Sequence, residues 1–133
     1  MISTDVIKAM EKAWGTNFPV FNNSNFELHH AFIEPGGYSS CHCHQNKYNL
    51  FYAVRGELYV HFYRSEPTAS NISDIAHTVI LEVGERLIVP PKVWHRFYAP
   101  ENGNGVDLIE AYWNSDVNPD DIVRKDIGGI YPV

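Results

Sequence analysis

Three histidines carry the strongest chemical signal in this chain: His42, His44 and His95, in two segments about fifty residues apart. The first segment runs from Gly36 to Gly56 and the second from Gly84 to His95, each punctuated by glycine or proline. Neutral imidazoles that converge on one point form a metal site. Successive side chains on a strand point to opposite faces, so the His-x-His spacing puts His42 and His44 on one face, where both can reach one ion. Cys41 and Cys43 alternate with them and point the other way, which argues against a mixed Cys/His zinc site. A plainer reading, polar histidines on a surface strand, carries similar weight for the His-x-His pair alone and loses it once His95 is added.

The elements that must position these residues belong to one domain. A chain of 133 residues with 44% hydrophobic and 14% aromatic content is large enough to bury a core without staples, and no boundary divides 1–133. No apolar run approaches the roughly 20 residues of a membrane span, and the N-terminus lacks a signal-peptide pattern. The expectation is a soluble cytoplasmic protein that does not engage membranes. Cys41 and Cys43 are poorly placed to bond to each other and read as free thiols. The formal net charge of -6, from 16 acidic and 10 basic residues without a basic run, makes nucleic acid an unsuitable partner. Lys47, Arg55 and Arg96 could still form a positive patch for a small anion.

Val6, Ile7, Met10, Ala13 and Trp14 recur at helical spacing behind capping residues and before Gly15, which predicts a short helix over Ser3 to Trp14. Phe18 to Asn25 reads as a connector. From Phe26 onward, short runs rich in Val, Ile, Phe and Tyr alternate with turns, the pattern of an all-β sandwich or barrel. Ser65 to Ala76 reads as a surface excursion, Asn118 to Asp121 as a helical turn, and Gly128 to Val133 as an extended tail.

The spacing then brings in a family. Gly36, five residues, His42, one residue, His44, four residues, Asn49, six residues and Gly56 resembles the first cupin motif. Gly84, five residues, Pro90 and then His95 five positions later resembles the second, so the motifs cover 36–56 and 84–99. The resemblance spans Phe26 to Trp113 and implies a cupin-type antiparallel β-barrel, a jelly roll or double-stranded β-helix, with a metal in its mouth. It implies a ligand set of His42, His44, Asn49 and His95, in which Asn49 stands where the family usually has glutamate and Lys92 where glycine is usual. The carboxyl end, Leu108 to Glu110 followed by Asn118 to Asp126, resembles the cupin domain of bifunctional mannose-6-phosphate isomerases.

Three imidazoles with a neutral amide leave the charge of a divalent ion uncompensated, which favours anions, and such a site suits Fe, Ni, Zn or Mn alike. Strand alternation turns Ser40, Phe51, Ala53, Phe97 and Ala99 inward with the ligands, and Lys47, Tyr48 and Trp94 lie beside them. Lys47, Tyr48, Phe51 and Phe97 are thus the candidate substrate pocket. A base acting next to a polarised carbonyl would come from Glu110, Tyr112, His30 or His61, with Glu110 and Tyr112 the catalytic candidates and Glu110 equally able to face inward or outward. His29 and His30 read as satisfied core or surface histidines. The functional expectation is a metal-dependent isomerase or epimerase of a sugar or sugar phosphate. The alternatives are a small-molecule-binding cupin without catalysis and an Fe(II)-dependent dioxygenase. Open strand edges point to a homodimer.

Overall fold

The structure, a computed structural model, describes residues 6–114 and 120–132. Among the described residues thirteen strands follow one another: β1 (Met10–Lys12), β2 (Gly15–Asn22), β3 (Phe26–Ile33), β4 (Gly37–Tyr38), β5 (His42–Cys43), β6 (Tyr48–Arg55), β7 (Leu58–Phe62), β8 (His77–Leu81), β9 (Arg86–Val89), β10 (His95–Tyr98), β11 (Val106–Trp113), β12 (Val123–Arg124) and β13 (Gly129–Ile130). One antiparallel sheet runs β1-β2-β3-β11-β6-β9. In the second, β10 is flanked by β7, which continues to β8, and by β5 and β4, which carry β12 and β13. This is the all-β, two-sheet jelly roll that the turn-punctuated β pattern implies.

The inner faces follow strict alternation. In β3, Glu27, His29, Ala31 and Ile33 share one face; across from them on β11 stand Tyr112, Glu110, Leu108 and Val106, in register pairs. On β6, Asn49, Phe51 and Ala53 pair with Tyr112, Glu110 and Leu108. Ala31, Ile33, Phe51, Ala53, Val106 and Leu108 meet Leu58, Val60, Phe97 and Ala99 from the second sheet in one buried core. Each large side chain fully buried there contributes about 1.5–3 kcal/mol.

No helix is present among the described residues. Residues 3–5 of the expected N-terminal helix lie outside the described set; of its remainder, 6–9 form no regular element, Met10, Glu11 and Lys12 pair with Asn17, Thr16 and Gly15 in a hairpin, and Ala13 and Trp14 make its turn. The reason is that a helix would find no surface for its apolar stripe. Val6 and Ile7 are 87% and 61% exposed, whereas the free edge of β2 offers backbone partners. Trp14 pins the turn by packing edge-on against Phe97, centroids 5.1 Å apart.

The expected connector at 18–25 is mostly strand β2, which admits Pro19 because the register with β3 shifts between Pro19 and Phe21. Of the expected turn at 118–121, Asn118 and Pro119 lie outside the described residues, and 120–122 is not helical. The expected tail is no loose end either: Gly129 and Ile130 form β13 against β4. Gly128, at φ 74°, makes that return possible, since a Cβ there would lie 2.2 Å from the Tyr38 carbonyl oxygen.

Candidate metal centre

His42 sits on β5 and is the register partner of His95 at the start of β10. His44 follows β5 on the same face. Ring centroids lie 4.5 Å apart for His42 and His95, 5.1 Å for His42 and His44, and 5.9 Å for His44 and His95. All three are buried, and their ligating nitrogens lie within 4.8 Å of one another. The alternating thiols face away: Cys41 and Cys43 are free and buried with Tyr63 and Trp94 in a separate apolar cluster beneath the 65–76 excursion.

Backbone carbonyls set the tautomers. His42 Nδ1 donates to the Ser40 carbonyl at 2.8 Å, His44 Nδ1 to the Asp121 carbonyl at 2.7 Å, and His95 Nδ1 to the Val93 carbonyl at 2.8 Å. Each ring thereby turns an Nε2 lone pair inward. Burial pushes all three imidazoles below their usual range, His44 to about 3, His95 to about 4 and His42 well down, so they are neutral near pH 7. Among the described residues, the Nε2 atoms of His42 and His44 are buried without a hydrogen-bond partner. Two orphaned acceptors in a closed site are costly, and a divalent cation satisfies them together. The donor set therefore fits a metal.

Asn49, fully buried on β6, approaches the same point. Its Oδ1 lies 3.3 Å from His95 Nε2 and its Nδ2 donates to Glu110 at 3.3 Å. Because His95 Nδ1 already donates its proton, Nε2 and Oδ1 are two acceptors face to face; a shared cation reconciles them, as does a turned amide.

Lys92, in the second segment, takes the left-handed conformation at φ 68° and donates its N–H to the His44 carbonyl at 2.6 Å. The turn demands that conformation, which explains why a glycine would suit this position. The carboxyl-terminal strap, residues 120–130, holds the segment from the other side. The Asp121 carboxylate accepts from the backbone N–H groups of Gln45, Asn46 and Lys47 at 2.7, 2.9 and 3.1 Å, while Asp126 accepts from the Cys41 N–H and ion-pairs with Arg96.

The centre opens into a cavity of about 500 Å³ lined by both sheets, by the β1 hairpin and by Ile122, Arg124 and Ile127 of the strap. Glu110 faces inward: it lines this cavity, and burial raises its carboxyl above the usual range. Tyr112 hydrogen-bonds to it and is held well above its ordinary range by burial and then by the Glu110 charge. Lys47 is buried, lies 3.9 Å from Glu27 and 4.2 Å above the Tyr112 ring, and is pushed down by burial. Phe97 lines the cavity, and Phe51 lies in the core beneath His95, centroids 6.0 Å apart.

Tyr48 does not join them. Neighbouring the inward Asn49, it points outward, 41% exposed and stacked on Trp113. The expected positive patch does not assemble either, since Lys47, Arg55 and Arg96 each face their own carboxylate, Glu27, Asp107 and Asp126. His30 lies beside Asp107, and His61 hydrogen-bonds Thr78, both away from the cavity.

Sequence reasoning missed Glu27, His29, Asn17 and Arg124, all of which line the cavity. The first two were within reach, because Glu27, His29, Ala31 and Ile33 alternate and the last two are plainly core-forming. Asn17 and Arg124 offered no such signal.

A protein-family model described as a cupin domain matches residues 29–112. Comparison with curated protein sequences finds no match. Among solved structures, the chain is similar to KdgF from Halomonas sp., with TM-score 0.67, 14% identity, and 86% of this chain and 90% of that one covered. It is similar to an RmlC-like cupin from Shewanella frigidimarina NCIMB 400, with TM-score 0.66, 18% identity, and 85% and 86% covered. It also resembles an L-ribose isomerase from Acinetobacter sp. DL28, a mutant in complex with L-ribose, with TM-score 0.63, 14% identity, and 74% and 58% covered.

Proposed function

Since the chain belongs to the cupin family, whose model matches it across 29–112, we propose that it is a metal-dependent enzyme that isomerises or epimerises a small sugar-like molecule in the mouth of its barrel. The observation that carries this reading is the Glu110 carboxyl, turned into the cavity one residue removed from the three histidines: Glu110 contacts Asn49, and Asn49 contacts His95. His42, His44 and His95, with Asn49 beside them, would hold a divalent ion. When bound, that ion supplies Lewis-acid polarisation of a carbonyl or hydroxyl oxygen.

The protein's own residues supply the rest. For isomerisation, Glu110 takes the proton from the carbon next to the polarised carbonyl and delivers it to the carbonyl carbon, while the proton of the adjacent hydroxyl passes to the former carbonyl oxygen; for epimerisation the same carbon is reprotonated on its other face. The burial-raised pKa of Glu110 brings it nearer the neutral range that such a shuttle needs. Tyr112 and Asn49 each hydrogen-bond the carboxyl and hold it in place. The β1 hairpin and the strap wall the cavity and limit water. The L-ribose complex of a structural neighbour and the isomerase-like carboxyl end of the sequence support the sugar class.

The test is solvent-deuterium exchange into aldoses, followed by NMR on Zn- or Mn-loaded protein. Glu110→Gln should lower exchange at least about 100-fold while metal content stays unchanged. Equal exchange in the variant would rule out Glu110 as the base. One observation favours a second reading: Asn49 in place of a ligating carboxylate suits a cupin that holds its ligand without turning it over. Tight ligand binding with no exchange above background would select that reading. Exposed Val6 and Ile7 ahead of β1 and exposed Phe21 on β2 support a homodimer, which light scattering would register as twice the 15.2 kDa chain mass.

A further inference from the structure

Arg124 occupies a position in the site that the metal chemistry does not use. On β12 it is the register partner of His42 on β5. Directly opposed residues of an antiparallel pair project from the same face, so Arg124 faces the side on which His42 meets the other histidines. Its Nη1 lies 3.5 Å from Ser40 Oγ, and Ser40 Oγ lies 2.9 Å from His42 Nδ1. It lines the cavity.

Three of the neighbouring cations are neutralised, whereas Lys12, exposed at the β1 hairpin, also lines the cavity. Lys47 pairs with Glu27, Arg96 with Asp126 and Lys125 with Glu66, whereas among the described residues no carboxylate pairs with Arg124. A guanidinium fork without a protein carboxylate, at the mouth of a cavity whose three histidines are neutral, is built to receive a carboxylate from outside. A second polar atom points to the remainder of the ligand. Asn17, 9% exposed and lining the cavity, gives its Nδ2 to His29, while its buried Oδ1 has no partner and calls for a hydroxyl donor.

We propose that Arg124 anchors the carboxylate of the small molecule bound in this cavity, and that this ligand is a hydroxylated carboxylic acid of sugar size. The inference rests on the reading of the barrel mouth as a ligand site and names the class of that ligand. A single planar fork matches the two oxygens of a carboxylate in two parallel hydrogen bonds. The volume of about 500 Å³ lies within the roughly 300–1,000 Å³ of small-molecule pockets.

The experiment is calorimetric titration of the Zn-loaded 133-residue chain with D-glucuronate, D-glucose and D-glucose 6-phosphate. Wild type should bind D-glucuronate at least tenfold more tightly than either comparator. Arg124→Gln should erase that preference, and Arg124→Lys should retain part of it. Because Arg124 is exposed, both variants should keep the wild-type melting temperature and metal content. Absent D-glucuronate binding, equal binding of D-glucose, or unchanged D-glucuronate affinity in Arg124→Gln overturns the inference. Arg124-dependent preference for the phosphate ester overturns the carboxylate assignment. Failure to retain metal, or exchange indifferent to Glu110→Gln, instead strikes the proposed function, so the two failures are separable.

Discussion

The two ends of the barrel's inner face are built on the same strands, in the same register, and do opposite things. At the closed end Ala31, Ile33, Phe51, Ala53, Val106 and Leu108 are almost wholly buried in one apolar core with residues of the second sheet, and Phe51 at its top reaches the His95 ring. Two to four residues further along the same strands, the same face carries Glu27, His29, Asn49, Glu110 and Tyr112, and across from them His42, His44 and His95. The closed end is satisfied by packing. The open end is left with orphaned acceptors on His42, His44 and Asn17. One end stabilises the fold, and the other holds polar groups at a cost that a bound ion and ligand would offset.

The sharpest break is a pair of truncations. Phe51→Ala should lower unfolding free energy by about 3–5 kcal/mol in urea titrations and leave the histidine cluster's composition untouched. His42→Ala should remove an unpartnered buried nitrogen, cost far less in folding, and weaken metal binding at least about 100-fold by chelator competition. If both variants lost stability equally, the division of labour would be wrong.

Asn49→Glu sharpens the open end by replacing a neutral amide with an anion next to the histidines. It should tighten divalent metal about tenfold and destabilise the metal-free protein, since the new carboxylate sits against Glu110. Equal metal affinity would mean that position 49 does not reach the ion.

Asp121→Ala probes the strap, where one carboxylate caps three backbone N–H groups and the adjacent carbonyl orients His44. Metal affinity should fall about tenfold, as for other supports of ligand side chains, with a loss of about 1–3 kcal/mol in stability. The smallest effect is expected at Lys92→Gly, which relieves a left-handed non-glycine residue and should add no more than about 1 kcal/mol, read as a small rise in melting temperature. A fall there would mean that the Lys92 side chain does more than span the turn.

The glycine- and proline-framed spacing of His42, His44 and His95, the alternation that turns Cys41 and Cys43 away, and the turn-punctuated β pattern were all legible along the chain, because each is a local consequence of a two-residue strand period. The N-terminal stripe misled for the complementary reason. Helical periodicity in Val6, Ile7 and Met10 means nothing without a surface to receive it, and the β2 edge captured the segment instead. The direction of Glu110 was undecided in sequence because an isolated strand has no inside; pairing with β3 and β6 assigned one. Tyr48 shows the same rule in reverse, one residue off the inward set.

Sequence by itself determined the ligand types and the strand period, since both reside in short-range spacing. Only the tertiary structure decided that the strap places Asp121 beneath His44 and Arg124 opposite His42, contacts between residues some eighty positions apart that exist only once the sheets have closed.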